Sequence, residues 1–278
     1  MNFVDKLRHI QRSNRTLLCL GLDTDVSKLP RALRRHKNPQ LEFNRRIIDA
    51  TADLVCAFKI NAAFYEAEGE RGREAMEETL RAIPRRVVSI ADVKRGDIGN
   101  SSERYASAYL RRYKFDAVTV SAYMGEDSVE PFLRSAEQCA FILALTSNAG
   151  AKDFQRLKLG RKYLYEQVVS TALRWNKKRN IGFVVGANSP RELRSIRTMA
   201  PSAPLLIPGV GTQGGSVQST VRFGCDKRGE LAVINASRSI IYASSGQDFA
   251  EAARAEVIKL RGEINFWREK YFGSTGNA

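Results

Sequence analysis

Short apolar runs, many of them β-branched, recur along the chain at intervals of roughly 25 to 40 residues, each bounded by polar or glycine-bearing segments. Read as strands, they fall at Leu17–Leu22, Leu54–Ile60, Val87–Val93, Ala117–Ser121, Phe141–Thr146, Ile181–Gly186, Leu205–Pro208 and Leu231–Asn235. Between them, apolar positions repeat at helical spacing over Phe43–Ala52, Arg71–Ala82, Ser102–Tyr113, Tyr163–Trp175 and Pro190–Met199. The last of these has helix-start signals: Ser189 as N-cap, Pro190 at the first helical position and Glu192 three residues after the cap. A short helix is expected ahead of the first strand. A final helix is expected from Phe249 to about Tyr271, leaving Gly273–Ala278 as a frayed tail. Eight strands alternating with helices over about 250 residues is the count of a (β/α)8 barrel, with 1–278 as one domain. No Pro/Gly/Ser-rich linker or internal repeat divides the chain. A doubly wound open sheet is the alternative, but no GxGxxG follows the first strand.

Composition narrows the function classes. Of 278 residues, 43% are hydrophobic and 27% charged, which is the balance of a folded chain. No apolar run exceeds about seven residues, far below the ~20 of a membrane-spanning helix. The stretch Thr16–Leu22 follows basic residues but stops at Asp23 without a small-residue cleavage pattern, so a secretory signal is not expected. Four dispersed cysteines (Cys19, Cys56, Cys139, Cys225), with no CxxC, fit reduced thiols in a cytoplasmic protein. Only two histidines occur, His9 and His36, in polar segments; a His- or Cys-based metal site and a Ser-His-Asp or Cys-His triad are therefore not expected. The formal charge of +15 raises the question of nucleic acid. Its clusters, such as Arg34-Arg35-His36-Lys37 and Lys177-Lys178-Arg179, are spread along helix-like segments without interleaved aromatics. Solvated helix faces explain them better, and a positive field would still attract an anionic metabolite.

Polar groups gather where the strands end. Strand 1 ends in Asp23, strand 2 in Lys59-Ile-Asn61, strand 3 in Asp92-Val-Lys94 followed by Asp97, and strand 5 in Thr146-Ser147. Strand 7 runs into Gly209–Gly215 and strand 8 into Asn235-Ala-Ser-Arg238. A barrel brings all these C-terminal ends to one mouth. Alternation along a strand puts Lys59 with Asn61 and Asp92 with Lys94 on shared faces, Ile60 and Val93 pointing outward. A single lysine in an apolar strand can be explained by snorkelling or by one ion pair. Two lysines and several aspartates at neighbouring strand ends point to a site, because burying each charge is costly. A glycine loop can be only a tight turn. After strand 7, and beside Arg238 and Gln213, it also fits the place where barrels commonly bind phosphate.

These residues resemble the orotidine 5′-monophosphate decarboxylase family, in its longer bacterial subgroup. Asp92-Val-Lys-Arg-Gly-Asp97-Ile-Gly resembles the DxKxxDI signature. Leu20-Gly-Leu-Asp23, Phe58-Lys-Ile-Asn61, Leu145-Thr-Ser147, Pro208–Gly215 and Ser237-Arg238 resemble the family's other blocks in order, so the resemblance covers about residues 16 to 245. Ser101 stands where many members have Thr, which keeps the hydroxyl. The resemblance implies conversion of orotidine 5′-monophosphate to UMP without cofactor or metal, in pyrimidine biosynthesis. It implies that Lys94 protonates C6, that Asp92 lies beside the substrate carboxylate and holds Lys94, and that Lys59 completes the charge network. Asp97 would enter from the partner subunit of a homodimer with shared active sites. Asp23, Asn61 and Ser101 are assigned to the ribose and neighbouring polar groups, Ser147 to the pyrimidine, and Gln213 with Arg238 to the phosphate. Two other readings stay open. One is a sister barrel using magnesium on sugar phosphates, such as a 3-keto-L-gulonate 6-phosphate decarboxylase. The other is a basic RNA-binding protein on a degenerate barrel, against which the intact Lys–Asp set speaks.

Overall fold

The computed structural model describes residues 1–210 and 214–273. Eight parallel strands close a barrel: β1 Leu18–Gly21, β2 Ala57–Asn61, β3 Val88–Arg95, β4 Ala117–Val120, β5 Cys139–Leu145, β6 Ile181–Val185, β7 Leu205–Pro208 and β8 Ala232–Ala236. Closure is visible in the register: Leu20 lies opposite Phe58 of β2 on one side and Ala236 of β8 on the other. An open sheet would leave β1 or β8 with a free edge, so the doubly wound alternative falls. The strands are almost wholly buried because one face fills the barrel and the other meets helices, which is why they read as continuous apolar runs.

All eight expected strands are present, with shifted ends. Leu54, Val55 and Cys56 are apolar and buried, but they belong to the turn after the preceding helix, and β2 starts at Ala57. β3 runs on to Arg95 through an irregularity at Lys94. The helix expected from Phe43 begins earlier, at Pro39, because Asn38 caps it by accepting from the Leu41 amide at 3.2 Å. Pro190–Met199 has the expected bounds, but Ser189 does not cap it with its side chain. Arg156 takes two of the three start-signal residues instead: it donates to the Ser189 hydroxyl at 3.0 Å and pairs with Glu192. The segment read as Ser102–Tyr113 is an α-helix over Gly99–Ala106 continued by a π-helical turn over Ser107–Arg112. The sequence pattern missed the helix Val217–Gly224 and a small antiparallel ribbon, Lys158–Leu159 with Lys162–Tyr163.

The N-terminal helix, Phe3–Ser13, plugs the barrel base. Gln11 is buried there; its Nε2 donates to the Ala232 carbonyl at 2.8 Å and its Oε1 accepts from the Leu231 amide at 3.0 Å. Phe3 meets Phe141 edge to face, and Arg8 and Arg12 pair with the buried Glu230. The C-terminal helix, Phe249–Phe272, packs on the helices Pro39–Thr51 and Val217–Gly224. Residues 274–278 of the expected frayed tail lie outside the described residues. Among those described, no helix is long and apolar enough to cross a membrane.

Candidate active site

At the opposite end from the plug, the carboxyl ends of β1, β2 and β3 converge on one lysine. Lys59 of β2 is only 4% exposed, and its ammonium sits 3.1 Å from Asp23 Oδ1 and 3.2 Å from Asp92 Oδ2. The second Asp92 oxygen, Oδ1, accepts from Lys94 Nζ at 2.6 Å and from the Thr119 hydroxyl of β4 at 3.0 Å. Asp92 is thus a bridge between two ammonium groups. Burial alone would raise its carboxyl, but Lys59 and Lys94 outweigh burial and hold it at about 2. Burial would likewise lower Lys59; the charges of Asp23 and Asp92 overcome this and raise it above the ordinary lysine value. Lys59 and Asp92 therefore both stay charged at neutral pH. Lys94 differs from Lys59 in being half exposed, so its ammonium faces the mouth.

Lys94 reaches Asp92 by a route that simple strand alternation did not predict. Its φ is +47°, and the β3–β4 register shifts between Ala91 and Arg95. A bulge, not an ideal pleat, turns Lys94 toward Asp92; Val93 is buried as expected.

The other sequence-selected residues divide into two groups. Asp23, Asn61 and Arg238 line the same cavity as Lys59 and Asp92, together with Pro208, Gly209 and Asn235. Asn61 also accepts from the Ala63 amide at 3.3 Å, closing the turn after β2. Arg238 is exposed and opens the one-turn helix Arg238–Ile241 after β8. Its neighbour loop depends on glycine: Gly209 has φ +94°, and a Cβ on Gly215 would lie 2.5 Å from the Ala187 Cβ. Gln213 of that loop lies outside the described residues.

Asp97, Ser101 and Ser147 are not gathered into this cavity. Asp97 Oδ1 accepts from the Ile98 amide at 2.8 Å, and among the described residues it forms no ion pair with Lys59 or Lys94. Ser101 is exposed on the helix Gly99–Ala106. The Ser147 carbonyl, just beyond β5, accepts from Asn188 Nδ2 at 3.0 Å. Among the described residues, no group of three or more His, Cys, Asp or Glu is placed to hold a metal ion.

Comparison with known proteins matches residues 16–255 to the family described as orotidine 5′-phosphate decarboxylase / HUMPS. The chain belongs to that family. It is 48% identical over 275 residues to orotidine 5′-phosphate decarboxylase of Dehalococcoides mccartyi, covering 98% of this chain and 100% of that one. The Herpetosiphon aurantiacus orotidine 5′-phosphate decarboxylase is 46% identical over 254 residues, 91% of this chain and 94% of its own. Among solved structures, the Leishmania donovani OMP decarboxylase superposes with a TM-score of 0.83 at 36% identity, covering 96% of this chain and 99% of that one.

Within this orotidine 5′-phosphate decarboxylase / HUMPS chain, sequence reading missed several groups around the cavity. Thr119 looked like an ordinary strand residue, since threonine is common in sheets. Asn235, named in the sequence as a polar strand-end residue but given no role there, lies on β8 with its Oδ1 accepting from the Cys19 thiol at 3.5 Å. Two tyrosines steady the segment carrying Asp23. Tyr65 donates to the Leu22 carbonyl at 2.9 Å, while the Tyr242 hydroxyl accepts from the Asp25 amide at 2.7 Å and donates to the Asp23 carbonyl at 3.3 Å. Nothing local in the sequence marks either tyrosine, because their partners are backbone groups 43 to 219 residues away.

Proposed function

We propose that this chain is a carboxy-lyase that converts orotidine 5′-monophosphate to UMP in pyrimidine biosynthesis, with Lys94 as the proton donor. The observation that carries this reading is the Asp92 carboxylate held between the Lys59 and Lys94 ammonium groups at a barrel mouth. When the C6–carboxylate bond breaks, CO2 leaves and the bonding pair stays on C6. Lys94, half exposed and fixed by its 2.6 Å contact to Asp92, stabilises that charge and then passes one ammonium proton to C6. Asp92 stays ionised beside the departing carboxylate, and Lys59 joins it to Asp23. No cofactor enters this sequence of steps. Lys59 also favours this reading over a magnesium-dependent sugar-phosphate reaction, because its ammonium already serves both Asp23 and Asp92.

The binding roles rest on the family resemblance, supported for Asp23, Asn61 and Arg238 by their place around the cavity. Asp23 and Asn61 take the ribose side of the cavity, with Ser101 completing the neighbouring polar contacts, and Ser147 takes the pyrimidine. Arg238 grips the phosphate beside the Gly209–Gly215 loop, with Gln213 as a second donor. Phosphate binding remote from C6 then supplies energy that holds the base against Lys94. Asp97 serves the site of a second subunit: it lies beyond the end of β3 at Arg95, and the apolar side chains Ile98 and Met124 stand exposed beside this turn. Four free, buried cysteines fit a cytoplasmic setting.

The test is to add orotidine 5′-monophosphate to purified protein in EDTA and follow its absorbance and the product. Stoichiometric UMP and CO2 are expected. No turnover, or turnover only after magnesium is restored, would contradict the reading.

A further inference from the structure

The bulge that presents Lys94 is spanned by one hydroxyl. Between the pairs Ala91↔Val118 and Arg95↔Val120, β3 advances four residues while β4 advances two. Thr119 is the single β4 residue opposite Asp92, Val93 and Lys94. The Val93 and Lys94 amides both donate to Thr119 Oγ1 at 2.9 Å. A hydroxyl has two acceptor lone pairs and one proton. With both lone pairs taken, the proton is left for Asp92 Oδ1, 3.0 Å away, the oxygen that also receives Lys94. Thr119 is 1% exposed, so water does not take its place. Lys94 itself stands at φ +47°, a conformation that a residue with a Cβ keeps only when its surroundings hold it there.

We propose that Thr119 is a positioning residue for the decarboxylation: its hydroxyl replaces the missing strand ladder across the bulge and so fixes both the Lys94 backbone and the Asp92 carboxylate. It does not touch the reacting atoms. The inference rests on the reading of Lys94 as proton donor.

Thr119→Val keeps the shape and removes the hydroxyl, and Thr119→Ser keeps the hydroxyl. Each is assayed with orotidine 5′-monophosphate beside Lys94→Ala, folded sites being counted by UMP titration. Thr119→Val should lower kcat about 100-fold, the scale of a reacting group displaced by an ångström. KM and UMP affinity should stay within about threefold, and Thr119→Ser should regain kcat to within about threefold of wild type. Wild-type kcat in Thr119→Val, or an equal loss in Thr119→Ser, would overturn the proposal. If Lys94→Ala is inactive while Thr119→Val is unimpaired, this inference alone fails; full turnover in Lys94→Ala would instead sink the reading beneath it. Should Thr119→Val not fold, Thr119→Cys decides, because a thiol is a weak donor and acceptor. Its kcat should fall at least about tenfold below Thr119→Ser at similar KM, and equal kcat would overturn the proposal.

Discussion

Asp92 shows how a single carboxylate can both organise a site and stabilise the barrel. Its carboxyl is held at about 2, below the ~3.9 of an unfolded chain. A group lowered in this way contributes stability above its unfolded value, and that contribution disappears as pH falls toward the folded value. The difference corresponds to roughly 2–3 kcal/mol. Urea unfolding of wild type and Asp92→Asn should therefore show a gap of that order at pH 6, closing between roughly pH 5 and pH 2. A gap that stays constant over this range would contradict the charge network. Asp23, Lys59, Asp92 and Lys94 were legible in the sequence because charges in apolar strands are expensive unless paired. Thr119 was not legible, since its importance comes from facing a bulge on another strand. Strand alternation paired Asp92 with Lys94 correctly, but the left-handed backbone at Lys94 achieves that pairing.

Elements were readable where local signals agreed with tertiary packing. The eight strands carry enough buried apolar residues to stand out, and Pro190–Met199 begins at a proline. Val217–Gly224 was missed because it is two turns long and follows a glycine loop, where helical periodicity has little length to develop. The ribbon Lys158–Leu159/Lys162–Tyr163 has exposed, mostly polar strands and gives no alternation to read. Long-range roles of helices are also invisible locally. Gln11 satisfies the Leu231 amide and the Ala232 carbonyl from 220 and 221 residues away. Gln11→Leu would leave both groups buried and unpaired, costing roughly 2–4 kcal/mol. Chemical denaturation should show that loss while kcat stays unchanged, because the plug and the Lys94 mouth are at opposite barrel ends. Unchanged stability, or a kcat that falls in the folded protein, would contradict the separation.

As a whole molecule, the barrel assembles polar groups from distant stretches at one mouth, and the chain order of those stretches made fold and family legible together. Among the described residues Asp97 forms no ion pair with Lys59 or Lys94 of its own barrel, and its carboxylate accepts from the Ile98 amide instead. The chemistry proposed for the mouth takes Lys94 from one subunit and Asp97 from another. The most direct measurement mixes Lys94→Ala with Asp97→Ala subunits, with exchange verified independently and orotidine 5′-monophosphate turnover recorded before and after. Each variant alone should be nearly inactive. In a mixed dimer one site lacks both residues and the other has both, so random exchange should restore about a quarter of wild-type activity. Substantial turnover by Lys94→Ala alone, or no recovery once mixed dimers have formed, would contradict the account.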